Sequence, residues 1–203
     1  SGPQGHGPYH PGEFPASTDT GDWSLAGILG SVNLHVRSRS HIRDIFVEPD
    51  IRRKRLVATV DIVGEGQVRL SIDGTPYSVM GEAGKIGLEF PEHQVWSPET
   101  PSLYVLRAEL VHGDQTVDTK TVRFGMREFT VKENRFYLNN HPIFIKGVIH
   151  DAAYPRPMST AGIEELVRKE LELAKEAGFN LIRLRSKTAP RILLDMADEL
   201  GLL

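Results

Sequence analysis

The C-terminal part of the chain carries two strand–helix units, and these restrict its fold more than any other feature. Residues 142–148 form an apolar run that predicts a strand, and residues 163–177 follow with the spacing of an amphipathic helix. Residues 181–185 and 192–200 repeat the same strand-then-helix pattern. Strands joined by a helical crossover pair in parallel. A closed parallel barrel needs eight such units in ~250 residues. We therefore expect the first two β/α units of a (β/α)8 barrel, truncated before its third strand.

The region before these units has the short alternating runs of an antiparallel β domain. Asp73-Gly74 and the segment 112–115 are turn signals between neighbouring runs. About seven short strands in this length are typical of an immunoglobulin-like β-sandwich. We predict strands at residues 42–47, 56–63, 67–72, 77–80, 85–90, 103–111 and 116–124. The expected fold class is thus mainly β with a C-terminal α/β part.

The chain divides into three parts on this basis. Residues 1–40 are predicted to be a flexible N-terminal segment, because residues 1–24 are rich in Gly, Pro, His and Ser and lack apolar periodicity. Residues 41–132 form the predicted sandwich. Residues 133–203 form the predicted start of the barrel, with a short hairpin (strands 129–132 and 135–138) and an Asn139-Asn140 turn leading into it.

Composition excludes several classes of function. The net charge is −3, and Lys and Arg are scattered apart from the short run 52–55, so we expect neither nucleic acid nor an anionic membrane as a partner. The chain has no cysteine, which excludes disulfides and thiolate metal sites. No apolar stretch reaches the ~20 residues that span a bilayer. We predict no cofactor and no metal site, and the sequence assigns no compartment.

Five segments together resemble a known family, the glycoside hydrolases of family 2, which includes β-galactosidases, β-glucuronidases and β-mannosidases. Residues 96–104 and 124–127 resemble the family's signature inside its sandwich and its exit from that sandwich. Residues 136–148 resemble its entrance to the catalytic barrel. The first two helices and the second strand of that barrel are resembled by residues 174–183 and 197–202. The order and spacing of all five match.

The resemblance implies what the polypeptide does and where its chemistry lies. Residues 27–34 resemble the end of the jelly-roll sugar-binding domain that precedes the sandwich, so we interpret residues 1–40 as containing a remnant of that domain. Such enzymes are retaining glycosidases acting on β-linked carbohydrates, with an acid/base and a nucleophilic carboxyl group ~5–5.5 Å apart. In the family both groups are glutamates on later barrel strands. We therefore expect both to lie beyond residue 203 and the chain alone to be inactive.

The glutamates that the chain does contain have another interpretation. Glu164, Glu165, Glu170 and Glu199 lie on the polar faces of the predicted helices. We expect them to be surface charge and not catalytic groups.

Four residues are candidates for the substrate pocket. Alternation along the second strand places Arg183 and Arg185 on the face opposite the helices, and the resemblance puts Arg183 beside the nucleophilic glutamate, which it would keep ionised. A structural ion pair stays open as the alternative for Arg183. His150 and Asp151 follow the first strand, where the family often has an Asn-x-His element lining the sugar pocket. For these two, a substrate contact and a plain loop pair bonded to backbone both stay open.

A second function is compatible with the sandwich. The chain would then be a non-catalytic carbohydrate-binding or scaffolding module. The strand–helix units favour the hydrolase, because a spacer has no need of them.

Overall fold

The computed structural model of the chain describes residues 32–150, 160–184 and 190–203. Seven strands form two facing antiparallel sheets, with orders β1-β2-β5 and β4-β3-β6-β7. The strands are β1 (His41–Asp50), β2 (Arg55–Val63), β3 (Gln67–Ile72), β4 (Ser78–Glu82), β5 (Gly84–Glu89), β6 (Tyr104–His112) and β7 (Gln115–Phe124). Each predicted run overlaps one of these strands, and the predicted β-sandwich is confirmed.

The sandwich core follows the period of two that the sequence shows. In β2 the residues Leu56, Ala58 and Val60 are buried, and their neighbours in the strand are more exposed. Strands β3 and β6 alternate in the same way, so the inner faces of both sheets supply aliphatic side chains to one cluster. This alternation is what fixes the register, since a slip by one residue would turn every apolar side chain outwards.

A small three-stranded sheet follows the sandwich. It contains β8 (Phe129–Lys132), β9 (Arg135–Leu138) and β10 (His141–Pro142), in the order β10-β9-β8. The backbone of Asn139 and Asn140 has φ of 51° and 65°, which confirms the predicted left-handed turn between β9 and β10.

The C-terminal part alternates strand and helix. Its elements are β11 (Gly147–His150), α1 (Thr160–Glu176), β12 (Leu181–Leu184) and α2 (Arg191–Leu200). Strands β11 and β12 pair in parallel, as predicted from the helical crossover. The helices share a second core cluster with Ile182 and Leu184 of β12. In the described parts of the chain, neither helix is long and apolar enough to cross a membrane.

The prediction of one strand over residues 142–148 is wrong. His141 and Pro142 pair with β9, and the parallel strand starts only at Gly147. Asn180 holds the chain between them, because its side-chain oxygen accepts a hydrogen bond from the Lys146 N–H (2.8 Å) and its amide donates to the Phe144 carbonyl (2.9 Å). Hydrogen bonds from the Asn180 side chain thus take the place of the strand pairing that the apolar run predicts for this segment.

Two glycines follow the helices at their C-terminal ends. Gly178 and Gly201 have φ of 84° and 74°, the left-handed conformation that favours glycine after a helix. After Gly201 the chain turns back alongside β12. The Ile182 N–H donates to the Leu203 carbonyl (2.8 Å), and the Leu203 N–H donates to the Asn180 carbonyl (2.9 Å). Leu203 therefore extends the hydrogen bonding of the sheet at the edge of β12 away from β11.

Candidate functional site

The carboxyl ends of β11 and β12 form the candidate site. His150 is in register with Leu184, so both strands end at the same edge of the sheet. In a parallel α/β sheet this edge is where ligands bind. Two of the four candidates, Asp151 and Arg185, lie outside the described residues.

The two faces of the strand pair differ in chemistry. Ile182 and Leu184 pack against the helices, and this confirms the predicted assignment of the apolar pair to the helix side. Arg183 alternates with them, and its side chain is exposed on the other face. Ile149, which is in register with Arg183, is 53% exposed. The face away from the helices therefore presents a guanidinium beside apolar surface.

His150 lies on the helix side of the strand pair. Its Nε2 atom is 2.9 Å from Oε2 of Glu170 in α1, and its side chain is only 17% exposed. His150 and Arg183 therefore share an edge of the sheet and lie on opposite faces. The structure does not bring these two candidates to one point.

The expectation of plain surface charge is wrong for Glu170 and Glu199. Glu170 contacts His150, as above. Glu199 of α2 accepts hydrogen bonds from Arg123 of the sandwich and from Arg168 of α1, the latter at 3.0 Å. The Arg123 guanidinium first, and that of Arg168 second, hold the pKa of Glu199 below its usual value. Pairs between residues so far apart in sequence leave no local signal, so helical periodicity cannot predict them.

Trp96 joins the sandwich to the second helix. The indole is fully buried, and its Nε1–H donates to the backbone carbonyl of Asp198 at 2.8 Å. The Arg127 guanidinium lies 4.2 Å from the centre of the ring, and its Nη2 donates to Oδ1 of Asp198 at 2.8 Å. Three of the segments that the sequence singled out, containing Trp96, Arg127 and Asp198, therefore meet at one junction. Their role in the structure is to join the sandwich to the α/β part.

Lys175 makes the second contact of this junction. Its ammonium group donates to the carbonyls of Pro98 (2.5 Å) and Gly201 (2.8 Å). Burial lowers the pKa of Lys175, and the charge of Glu99 partly opposes this effect. A hydrogen-bonded cation between two carbonyls ties the loop after Trp96 to the ends of both helices. Trp96, Arg127 and Lys175 thus make contacts between the sandwich and the two helices. We name these contacts the docking junction.

The arrangement has a consequence for the candidate site. The docking junction fixes α1 and α2 on the sandwich, and the helices in turn pack on the outer face of β12. The position of the strand ends is thus set by the sandwich. Sequence reasoning identified the junction residues as family motifs and missed their contacts.

Comparison with known proteins agrees with the residue patterns. Residues 40–127 match the family model of the glycosyl hydrolases family 2. The chain is 28% identical over 198 residues to a putative β-glucuronidase of Formosa agariphila, which covers 87% of this chain and 19% of that protein. It is 29% identical over 184 residues to a β-galactosidase of Staphylococcus xylosus, with coverage of 87% and 18%.

A solved structure shows the same arrangement. The apo structure of Bacteroides uniformis β-glucuronidase 3 superposes with a TM-score of 0.62 at 31% identity, covering 81% of this chain and 22% of that one. The chain spans about a fifth of the length of the curated relatives it matches. The family prediction made from the motifs is confirmed: residues 40–127 match the model of the glycosyl hydrolases of family 2, and the similarity to the relatives named here extends over most of the chain.

Proposed function

We propose that this chain is part of a glycoside hydrolase that cleaves β-linked carbohydrates by double displacement, with retention of configuration. The relatives named above are a β-glucuronidase and a β-galactosidase, which supports a sugar substrate with a β linkage. In this mechanism one carboxylic acid protonates the leaving oxygen and a carboxylate attacks the anomeric carbon. The proposal assigns both groups to glutamates outside the 203 residues.

The observation that carries the proposal is the sequential order of the parallel sheet. Strand β12 lies beside β11, and the backbone of Leu203 hydrogen-bonds along the next edge, with both helices on one face. Consecutive strands placed side by side with all crossovers on one side are how a (β/α)8 barrel begins, and one half of a doubly wound sheet begins in the same way. The match to family 2 favours the barrel. We infer that β11 and β12 are the first two strands of such a barrel.

Arg183 has a defined role in this proposal. It lies on the face without helices, which becomes the inside of a barrel. A guanidinium enclosed there needs an anionic partner, and a nucleophilic carboxylate is the partner that double displacement supplies. An arginine beside that carboxylate keeps it ionised and ready to attack.

Hydrolysis assays on two polypeptides test the proposal. The 203-residue chain should not hydrolyse aryl β-glucuronides or aryl β-galactosides, and the longer natural polypeptide that contains it should hydrolyse one of them. NMR of the first product formed should show the β anomer, because two inversions restore the starting configuration. Release of the α anomer, activity in the short chain, or no activity in a folded long polypeptide that still binds the sugar would each contradict the proposal. The last outcome would favour the non-catalytic carbohydrate-binding module.

An arginine substitution tests the proposed site. Arg183→Ala in the long polypeptide should lower kcat/KM by at least tenfold, as expected for loss of a group that acts on the nucleophile. Arg43→Ala is the matched control, because the Arg43 side chain forms an exposed ion pair with Asp61 in the sandwich. Equal kinetics for both variants would remove Arg183 from the site.

A further inference from the structure

His150 is held by α1 at the edge where the parallel strands end. It is the last residue of β11, and its Nε2 atom lies 2.9 Å from Oε2 of Glu170. The ring is largely enclosed, with 17% of the side chain exposed, against 38% for Glu170. A half-buried imidazole in contact with a carboxylate has little freedom to rotate.

The chemistry of this contact constrains which ring nitrogen carries a proton. An ionised carboxylate can only accept hydrogen bonds. The nitrogen that faces Glu170 must therefore carry a proton, and that nitrogen is Nε2. In a neutral imidazole with a proton on Nε2, the other nitrogen, Nδ1, is an acceptor.

Glu170 stands on a fixed support. Val167 and Leu171, on either side of it in α1, are fully buried in the second core cluster. Arg168 ties the same turn of the helix to Glu199, which also accepts a hydrogen bond from Arg123 of the sandwich. The turn of α1 that carries Glu170 is thus fixed in place relative to β11.

We propose that Glu170 is a positioning residue for His150, fixing its ring as the tautomer with the proton on Nε2 and an acceptor at Nδ1. This inference rests on the proposed function, because it is in a glycoside hydrolase that the end of β11 borders the substrate pocket. Glu170 itself acts only through His150. Nothing in the helical pattern of the sequence distinguishes it from its exposed neighbours Glu164 and Glu165.

Ring-nitrogen NMR of histidine-labelled protein tests the proposal without any activity measurement. The His150 signals are assigned by their loss in His150→Gln, and spectra are taken on the high-pH plateau of the titration. Two-bond nitrogen–proton couplings should show a single tautomer, with Nε2 protonated and Nδ1 unprotonated. Protonated Nδ1 or a mixture of tautomers in the unsubstituted chain would overturn the proposal.

Two matched substitutions then identify the cause. Glu170→Leu removes the acceptor that faces Nε2, so the single-tautomer pattern should be lost. Glu164→Leu makes the same change at an exposed position of the same helix and should leave the pattern intact. An unchanged His150 spectrum in Glu170→Leu would show that Glu170 does not set the tautomer. Because the readout is a spectrum, a polypeptide without hydrolase activity would contradict the proposed function and still decide this inference.

Discussion

The two glycines that follow the helices allow the docking junction to be tested by one matched pair of substitutions. Gly178 and Gly201 both have left-handed backbone, so alanine at either position costs about 1–2 kcal/mol in conformational energy. They differ in their surroundings. A Cβ atom at Gly178 would meet nothing within 4 Å, whereas one at Gly201 would lie 2.3 Å from the Pro98 carbonyl oxygen.

Alanine at Gly201 should cost additional stability because it displaces the Pro98 carbonyl group. The Pro98 carbonyl cannot stay in place, and it is one of the two acceptors of the Lys175 ammonium group. A hydrogen bond to a charged group contributes about 1.5–3 kcal/mol. Combining both effects, Gly201→Ala should lower the free energy of unfolding by about 2.5–5 kcal/mol, against about 1–2 kcal/mol for Gly178→Ala.

Urea unfolding measures this difference. Both variants are made in a Trp23→Phe background, so that the fluorescence reports Trp96 of the junction, and far-UV circular dichroism follows the whole chain. The midpoint of Gly201→Ala should fall further than that of Gly178→Ala at equal slope. Equal losses of stability in the two variants would show that close approach at Pro98 does not hold the α/β part on the sandwich.

Four further predictions concern the contacts between the sandwich and the helices, and the strand pair. Trp96→Phe leaves the Asp198 carbonyl without its indole donor and should cost about 1–3 kcal/mol in urea unfolding. Glu199→Gln should destabilise the protein at neutral pH. Because folding lowers the pKa of Glu199, its contribution is fully present above the ordinary carboxyl pKa of about 4.3 and is lost as the pH falls through the folded-state value. The stability difference between the two proteins, measured against pH, should therefore vanish in acid. Ile182→Ala should cost about 2–4 kcal/mol because it opens a cavity under the helices. Arg183→Ala on the exposed face should change unfolding by less than about 0.5 kcal/mol.

Local pattern predicts much of this fold, and distant contacts account for what it misses. The alternation in β12 predicts that Ile182 faces the helices, because side-chain direction has a period of two in any strand. The apolar run after Pro142 misleads, since Asn180, far along the chain, binds its backbone and displaces the start of the strand. The partners of Glu170 and Glu199 are likewise side chains that only the folded chain brings near. The sequence predicts that the candidate site lies at an edge of the sheet. It does not predict that His150 and Arg183 point to opposite faces there.

The indole of Trp96 also determines how the polypeptide can be divided for expression. The family match ends at residue 127, and sequence order alone would place the end of an expressed sandwich there. Such a product would lose the Asp198 carbonyl and carboxylate that accept hydrogen bonds from Trp96 and Arg127. The large aromatic side chain of Trp96 would then be exposed to water. A stable recombinant sandwich therefore has to include α2, or to have Trp96 substituted by a residue that tolerates exposure to water.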